Sequence, residues 1–233
     1  MGYPPRLCFD GAVYHVTARG DNRERIFADD VDRQQYLVLL RRYKASLRFT
    51  LHAYALMPNH LHLIVEPAPG TTISRIMQCV TISHTRYFNR RHGRVGHVFQ
   101  GRFHSRLIEK DSYLLVASRY VHLNPVRAKL AARPGDYVWS SYRAYQEPAP
   151  DPLGLADVHG VLGLVSPDAA YQRQGYREFV EGQHRVHPGS ADEWLSRTIV
   201  GSTTFSEMVR ARFGLSVRSR GRPVKLPAGT NRI

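Results

Sequence analysis

The residue pattern predicts an α+β protein: a mostly antiparallel sheet with helices on one face, then a small helical module and a basic tail. Three observations predict it. Short alternating or β-branched runs are interleaved with helix-length amphipathic segments in the order β, α, β, β, α, β, α. A Pro-rich stretch, Glu147-Pro148-Ala149-Pro150-Asp151-Pro152, interrupts that pattern and reads as a linker. Beyond it the apolar spacing is helical until a polar, basic end.

Ala12 to Ala18 alternates and is rich in β-branched residues, which predicts a strand ending at the turn signal Gly20-Asp21-Asn22. Asp30 or Asp32 then caps a helix whose apolar face is Tyr36, Leu37, Leu39, Leu40 and Tyr43, reaching about Ser46. Phe49 to Met57 and His60 to Glu66 are strand-like runs separated by Pro58-Asn59, which reads as a hairpin. Thr71 to Arg91 contains neither Gly nor Pro and carries Ile73, Ile76, Met77, Val80, Tyr87 and Phe88 at helical spacing. Glycines 93, 96 and 101 mark a loop, and Phe103 to Ile108 returns as a strand. Asp111 to Asn124 is the next helix, ended by Pro125, which disfavours helical geometry in the residue before it. This split order is close to the ferredoxin-like arrangement. The expected organisation is a core domain over 1–146, a linker over 147–154, a helical accessory module over 155–214 with helices at Ala169 to Glu181 and Ala191 to Phe213, and a tail over 215–233 that is disordered until bound.

Charge narrows the function. The 233 residues carry 33 Lys+Arg against 19 Asp+Glu, a net charge of +14, and the lysines are Lys44, Lys110, Lys129 and Lys225 alone. Arginine forks onto phosphates and base edges, so the expected partner is a polyanion, nucleic acid first; the competing reading is a compositional bias toward Arg. Two stretches contain no acid at all. Ala68 to Ile108 holds Arg86, Arg90, Arg91, Arg94 and Arg102 among its arginines, and Met208 to Ile233 holds Arg220 and Arg222, where Arg220-Gly221-Arg222-Pro223 resembles the core of an AT-hook; so short a match favours a generic basic tail that adds electrostatic affinity. These seven arginines are the expected DNA contacts. No apolar run approaches ~18 residues and the first residues lack the pattern of a secretory signal, so no membrane span is expected. Cys8 and Cys79 provide neither a disulfide framework nor a thiolate zinc site, which places the protein in a reducing cytoplasm.

Two constellations can carry chemistry. In His60-Leu61-His62 the imidazoles sit at i and i+2 of a strand, on one face, so both reach one ion while Leu61 and Leu63 face the core; the competing reading is two packing histidines. In the predicted helix after Asp111, Tyr120 and Asn124 sit at i and i+4, so a phenol and an amide oxygen share one face. A phenol with a pKa of about 10 is a poor nucleophile at neutral pH until a cation or a base assists it, and the histidine pair would supply the cation.

Five segments in order resemble the single-tyrosine HUH transposases and, within them, the REP-associated tyrosine transposases. They are Tyr14 to Gly20 with Asn22-Arg23, Ala55 to Leu63, Gly93 to Arg102, Arg119 to Arg127, and Trp139-Ser140-Ser141-Tyr142. The resemblance implies an HUH nuclease core over 1–146 and a metal-dependent endonuclease and strand transferase acting on single-stranded DNA, often folded as a hairpin. It further implies His60 and His62 as ligands of Mg²⁺ or Mn²⁺, Tyr120 as the nucleophile that forms a 5′-phosphotyrosine, and Asn124 in the place of the amide that completes the metal site. A cytoplasmic, nucleoid-associated monomer or homodimer is expected. Two other readings stay open on the residues alone: a catalytically weak hairpin-DNA-binding protein, and a metal-dependent RNase or phosphodiesterase that uses no covalent tyrosine.

Overall fold

A computed structural model describes residues 6–147, 153–182 and 198–215. Strand β1 (Val13–Arg19) is followed by helix α1 (Asp30–Leu47), the β2 (Phe49–Met57) and β3 (His60–Pro67) hairpin, helix α2 (Ile73–His92), strand β4 (His104–Ile108) and helix α3 (Ser112–Arg127). The α+β order is the expected one. The sheet runs β2-β3-β1-β4, antiparallel throughout, and a short strand β5 (Ile199–Val200) adds in parallel beside β4.

Helices cover both faces of this sheet, not one. Leu61, Leu63 and Val65 of β3, with Tyr14 and Val16 of β1, pack against α1 and α2 through Tyr36, Leu40, Ile76, Met77 and Val80. On the reverse face Val13, Ala53, Ala55, Ile64 and Ile108 receive Leu114, Ala117 and Val121 of α3. The two histidines made that reverse face look polar in the sequence. Ala53 and Ala55 nevertheless leave room for a helix backbone to approach, and burial of the apolar stripe of α3 holds it there.

Local details follow from side-chain chemistry. Asp29, not Asp30 or Asp32, caps α1: its carboxylate accepts the Asp32 N–H at 3.2 Å while the Asp32 carboxylate accepts the Ala28 N–H at 2.8 Å. Pro125 does not end α3, which continues to Arg127. A proline costs the helix one donor, and so close to the end of α3 the backbone regains bonds from Ala128 N to Asn124 O (2.9 Å) and from Leu130 N to Pro125 O (2.9 Å). At the other rim, a Cβ on Gly20 would lie 2.1 Å from the Glu24 carbonyl oxygen, so only glycine permits this close turn. That turn donates Gly20 N–H to Asn59 O (2.8 Å) and Ile26 N–H to Pro58 O (2.9 Å), clamping the hairpin tip where His60 begins.

The segment after the linker is woven into the same two cores. After α4 (Tyr142–Gln146) come α5 (His159–Leu162), α6 (Ala169–Glu181) and α7 (Thr203–Phe213). Leu155 and Val209 are buried in the α1/α2 core, Val161, Tyr176 and Val180 in the α3 core. Among the described residues, 155–182 and 198–213 thus share both cores with the chain before residue 147. Of the helix expected over Ala191 to Phe213, residues 191–197 lie outside the described residues; in the rest, β-branched Ile199-Val200 pairs with Leu107-Ile108 as a strand, and α7 starts at Thr203, capped by Ser202 through the Phe205 N–H. Among the described residues no helix is long and apolar enough to cross a membrane.

His122 shows how tightly α6 is tied in. It is wholly buried, with Nδ1 2.7 Å from the Tyr176 hydroxyl and Nε2 2.8 Å from Ser141 Oγ. Burial holds its pKa down to about 3, and burial likewise holds His84, against α1 and the Ile26 carbonyl, down to about 4. An unfolded chain protonates both at ordinary values near 6.5, so the unfolded state binds more protons between about pH 4 and 6.5 and stability falls as pH falls through that window. Each group contributes a slope of about 1.4 kcal/mol per pH unit there. Urea unfolding is therefore expected to show a lower midpoint at pH 5 than at pH 7, with the difference reduced in His122→Gln; equal midpoints would show that these histidines are not held neutral.

Candidate active site

The α3 face of the sheet gathers the chemistry. Alternation points His15, Thr17 and Arg19 of β1, His60 and His62 of β3, and Arg106 of β4 to that side, and the register sets Arg19 opposite His60, Thr17 opposite His62 and His15 opposite Arg106. Tyr120 comes down from α3 onto them. Its ring centroid is 5.7 Å from His15 and 5.7 Å from His62, edge-on to both, and the Arg127 guanidinium lies over the ring, 5.0 Å from its centre.

Hydrogen bonds fix which nitrogens face the site. Asn59 Nδ2 donates to the Arg23 carbonyl at 3.1 Å, so its Oδ1 is the atom facing His60 Nδ1 at 2.7 Å. An amide oxygen only accepts, so His60 Nδ1 carries the hydrogen and Nε2 the lone pair. His62 Nδ1 lies 2.9 Å from His15 Nε2, with the two rings stacked at 5.2 Å, and buried His62 Nε2 has no hydrogen-bond partner. All three imidazoles are neutral at pH 7. Burial, then the charge of Arg19, lowers His60 to about 4; burial, then Arg106, lowers His15 to about 3; burial, then its histidine and arginine neighbours, holds His62 well below its ordinary value. Burial also lowers the Arg106 guanidinium, with the Tyr120 oxygen acting in the opposite sense.

Thus the structure brings the rings of His60, His62 and Tyr120 together, with His62 between the other two. Asn124 is on the same helix face, but its Nδ2 donates to the Tyr120 carbonyl at 2.9 Å, leaving Oδ1 as its only atom able to ligate. Among the described residues no three His, Cys, Asp or Glu side chains converge as a metal site. Sequence reasoning missed His15 and Arg106. His15 lies on β1, diagonal to His62, and Arg106 lies on β4 opposite His15, relations visible only once strand pairing is known.

The predicted DNA-contact arginines separate. Arg86 lines a groove beside α2, Arg102 lines the same groove and a second recess, and Arg90 lies exposed in the last turn of α2. Arg91 is already paired, its guanidinium bound by Asp29 and Asp32, with Asp29 at 2.7 Å; those acids lie in α1 and its cap, far from Arg91 in sequence. Arg94 is similarly paired with Glu24 at 2.8 Å. Arg220 and Arg222 lie outside the described residues.

The family described as transposase IS200-like matches residues 8–124, which span β1 through the Tyr120 and Asn124 turn of α3. The chain belongs to the IS200-like transposase family. Its fold is also that of a solved REP-associated tyrosine transposase bound to a REP hairpin, with a TM-score of 0.55, 16% identity, and coverage of 69% of this chain and 96% of that one. A crystal structure of a transposase candidate from Deinococcus radiodurans aligns at a TM-score of 0.36 and 16% identity, covering 56% of this chain and 89% of that one. No curated protein matches. Membership makes the protein a transposase, and the family match includes each of His60, His62, Tyr120 and Asn124.

Proposed function

We propose that this transposase is a metal-dependent endonuclease and strand transferase for single-stranded, hairpin-containing DNA, acting through a 5′-phosphotyrosine on Tyr120. The observation that carries the reading is the placement of the Tyr120 ring 5.7 Å from His62, whose buried Nε2 has no other partner. Buried polar atoms are nearly always satisfied, so an orphaned imidazole nitrogen beside a phenol fits a ligand position. His60 Nε2 and His62 Nε2, with the Asn124 Oδ1, would hold Mg²⁺ or Mn²⁺. When bound, the ion polarises the scissile phosphate and neutralises its developing charge.

The protein's own groups do the rest. Tyr120 Oη attacks phosphorus, the P–O3′ bond breaks, and the 3′ oxygen takes up a proton in exchange for the one lost by the phenol. Arg106 stabilises the phenolate as it forms, and Arg127 keeps the ring in place. The products are a 5′-phosphotyrosyl enzyme and a 3′-hydroxyl. Attack by another 3′-hydroxyl rejoins strands without ATP, because the covalent bond conserves the phosphodiester energy. His15 acts through its neighbour: if His62 presents the Nε2 lone pair, its Nδ1–H donates to His15 Nε2, which fixes tautomer and ring orientation.

The test is a denaturing gel of protein incubated with labelled hairpin DNA and Mn²⁺. A retarded covalent band is expected; cleavage without the band would favour a phosphodiesterase, and binding without cleavage a hairpin-binding protein. A second measurement addresses the arginines. Removing Arg86 and Arg90 is expected to reduce the magnitude of the salt slope of DNA binding by about one per lost phosphate contact. Arg91→Ala should instead lower the melting temperature and leave the slope alone, since its charge is committed to Asp29 and Asp32. An equal change in slope for Arg91 would return it to the DNA-facing set.

A further inference from the structure

Between β1 and α1 the chain makes a tight turn over 20–24. Two of its residues that are not glycine stand in the left-handed region, Asn22 at φ 46° and Arg23 at φ 63°. Side chains disfavour that region, so the surrounding structure has to impose it. Bonds on both sides do so. The Asp21 N–H donates to the Val98 carbonyl at 3.0 Å, the Arg23 N–H to the Gly20 carbonyl at 3.1 Å and the Glu24 N–H to the Asp21 carbonyl at 2.7 Å, while the Glu24 carboxylate holds Arg94 at 2.8 Å. The Arg23 side chain is exposed, so what the turn fixes at this position is backbone.

What the turn presents is the Arg23 carbonyl. It accepts from Asn59 Nδ2 at 3.1 Å, and the other end of the same amide, Oδ1, faces His60 Nδ1 at 2.7 Å. An amide has one accepting end and one donating end, so its orientation decides where the neighbouring ring carries its hydrogen. With the oxygen toward His60, Nδ1 holds the hydrogen and Nε2 keeps its lone pair. Turned over, the amide would donate to Nδ1 and leave the hydrogen on Nε2, the nitrogen that a metal ion needs bare.

The same turn also holds the amide's own backbone. Gly20 N–H donates to the Asn59 carbonyl at 2.8 Å, and Ile26 and Phe27 N–H both donate to the Pro58 carbonyl, at 2.9 and 3.2 Å. Asn59 is therefore fixed at its main chain and at one end of its side chain, and the other end has His60 as its neighbour. His62 is set differently, by the imidazole of His15 at 2.9 Å. Of the two rings, only His60 has its hydrogen placed by a backbone turn.

We propose that the turn over 20–24 selects the tautomer of His60 through Asn59: the Arg23 carbonyl orients the amide, and Asn59 is a positioning residue for the metal site. The inference rests on the reading of His60 as a metal ligand and adds what keeps its Nε2 free to ligate. Supporting hydrogen bonds of this kind set ring orientation and ligand strength at metal-binding histidines.

Long-range proton–nitrogen NMR correlation spectra of the metal-free chain, with the His60 signals assigned against His60→Gln, read the tautomer directly, and electron paramagnetic resonance reads Mn²⁺ affinity. The wild-type ring is expected to carry its hydrogen on Nδ1. Asn59→Ala should lose that fixed tautomer and bind Mn²⁺ about 10–100-fold more weakly. Asn59→Asp has an oxygen at both ends and needs no orienting, so it should keep the Nδ1 hydrogen and recover most of the affinity. Arg23→Val places a β-branched residue at φ 63° and should displace the carbonyl, weakening Mn²⁺ binding by about tenfold. In the Asn59→Asp background the same exchange should matter by less than about twofold. Arg23→Gly, at ease in the left-handed region, should leave both readouts at wild-type values.

A hydrogen on Nε2 of the wild-type ring overturns the proposal. So does an equal loss for Arg23→Val in both backgrounds, or a loss in Arg23→Gly as large as in Arg23→Val, which would put the side chain rather than the backbone at work. If Arg23→Val melts without cooperativity, Arg23→Gly and the two Asn59 exchanges at the hairpin tip carry the test. Absence of Mn²⁺ binding in the wild type, with the tautomer change of Asn59→Ala intact, sinks the metal reading and leaves the selector standing.

Discussion

Tyr120→Phe is expected to bind hairpin DNA as the wild type does, form no covalent adduct, and cut at a rate reduced on the order of 10⁴-fold or more, the scale seen when an activated nucleophile is removed. The exchange deletes one oxygen and keeps the ring. Edge contacts to His15 and His62 at 5.7 Å and the Arg127 contact at 5.0 Å all use that ring, so the site keeps its shape and α3 its packing. A thermal melt checks this, and a gel with 5′- and 3′-labelled strands reads cleavage and adduct together. Wild-type cleavage by the Phe variant would make water the nucleophile and move the protein to the phosphodiesterase class.

The sheet and its flanking helices were legible because periodicity reports burial directly. The His60-Leu61-His62 alternation and the i, i+4 spacing of Tyr120 and Asn124 placed each pair on one face, and each pair does share one. What escaped was long-range. His15 lies beside His62 only through the β1–β3 register, and Arg91 meets Asp29 and Asp32 across 62 and 59 residues. A charge run read from sequence cannot show which of its members are already paired. The linker misled for a related reason: prolines signalled a boundary, yet Leu155 and Val209 fill the first core and Tyr176 the second. Pro125 misled locally, since losing one donor in the last turn of α3 costs little where flanking amides find other acceptors.

Removing both imidazoles, His60→Ala with His62→Ala, is expected to abolish Mn²⁺-stimulated cleavage while much of the DNA affinity stays, because the arginines lie elsewhere on the surface. His15 then provides the finer measurement. His15→Phe keeps both ligands and an aromatic ring stacked on His62 but deletes the acceptor 2.9 Å from His62 Nδ1. Losing such a supporting hydrogen bond typically lowers metal affinity by about 10–100-fold. His15→Gln, whose amide oxygen also accepts, should recover part of it. Titration of Mn²⁺ by electron paramagnetic resonance reads this without turnover, so a defect in DNA handling cannot imitate it. The pH response has a definite sign: His60 is held at about 4 and His62 well below its ordinary value, so Mn²⁺ binding should persist as pH falls through 6.5, where an exposed imidazole would already be half protonated. Full metal-stimulated cleavage in the double variant would place the ion away from these two nitrogens, and unchanged Mn²⁺ affinity in His15→Phe would reduce His15 to a packing residue.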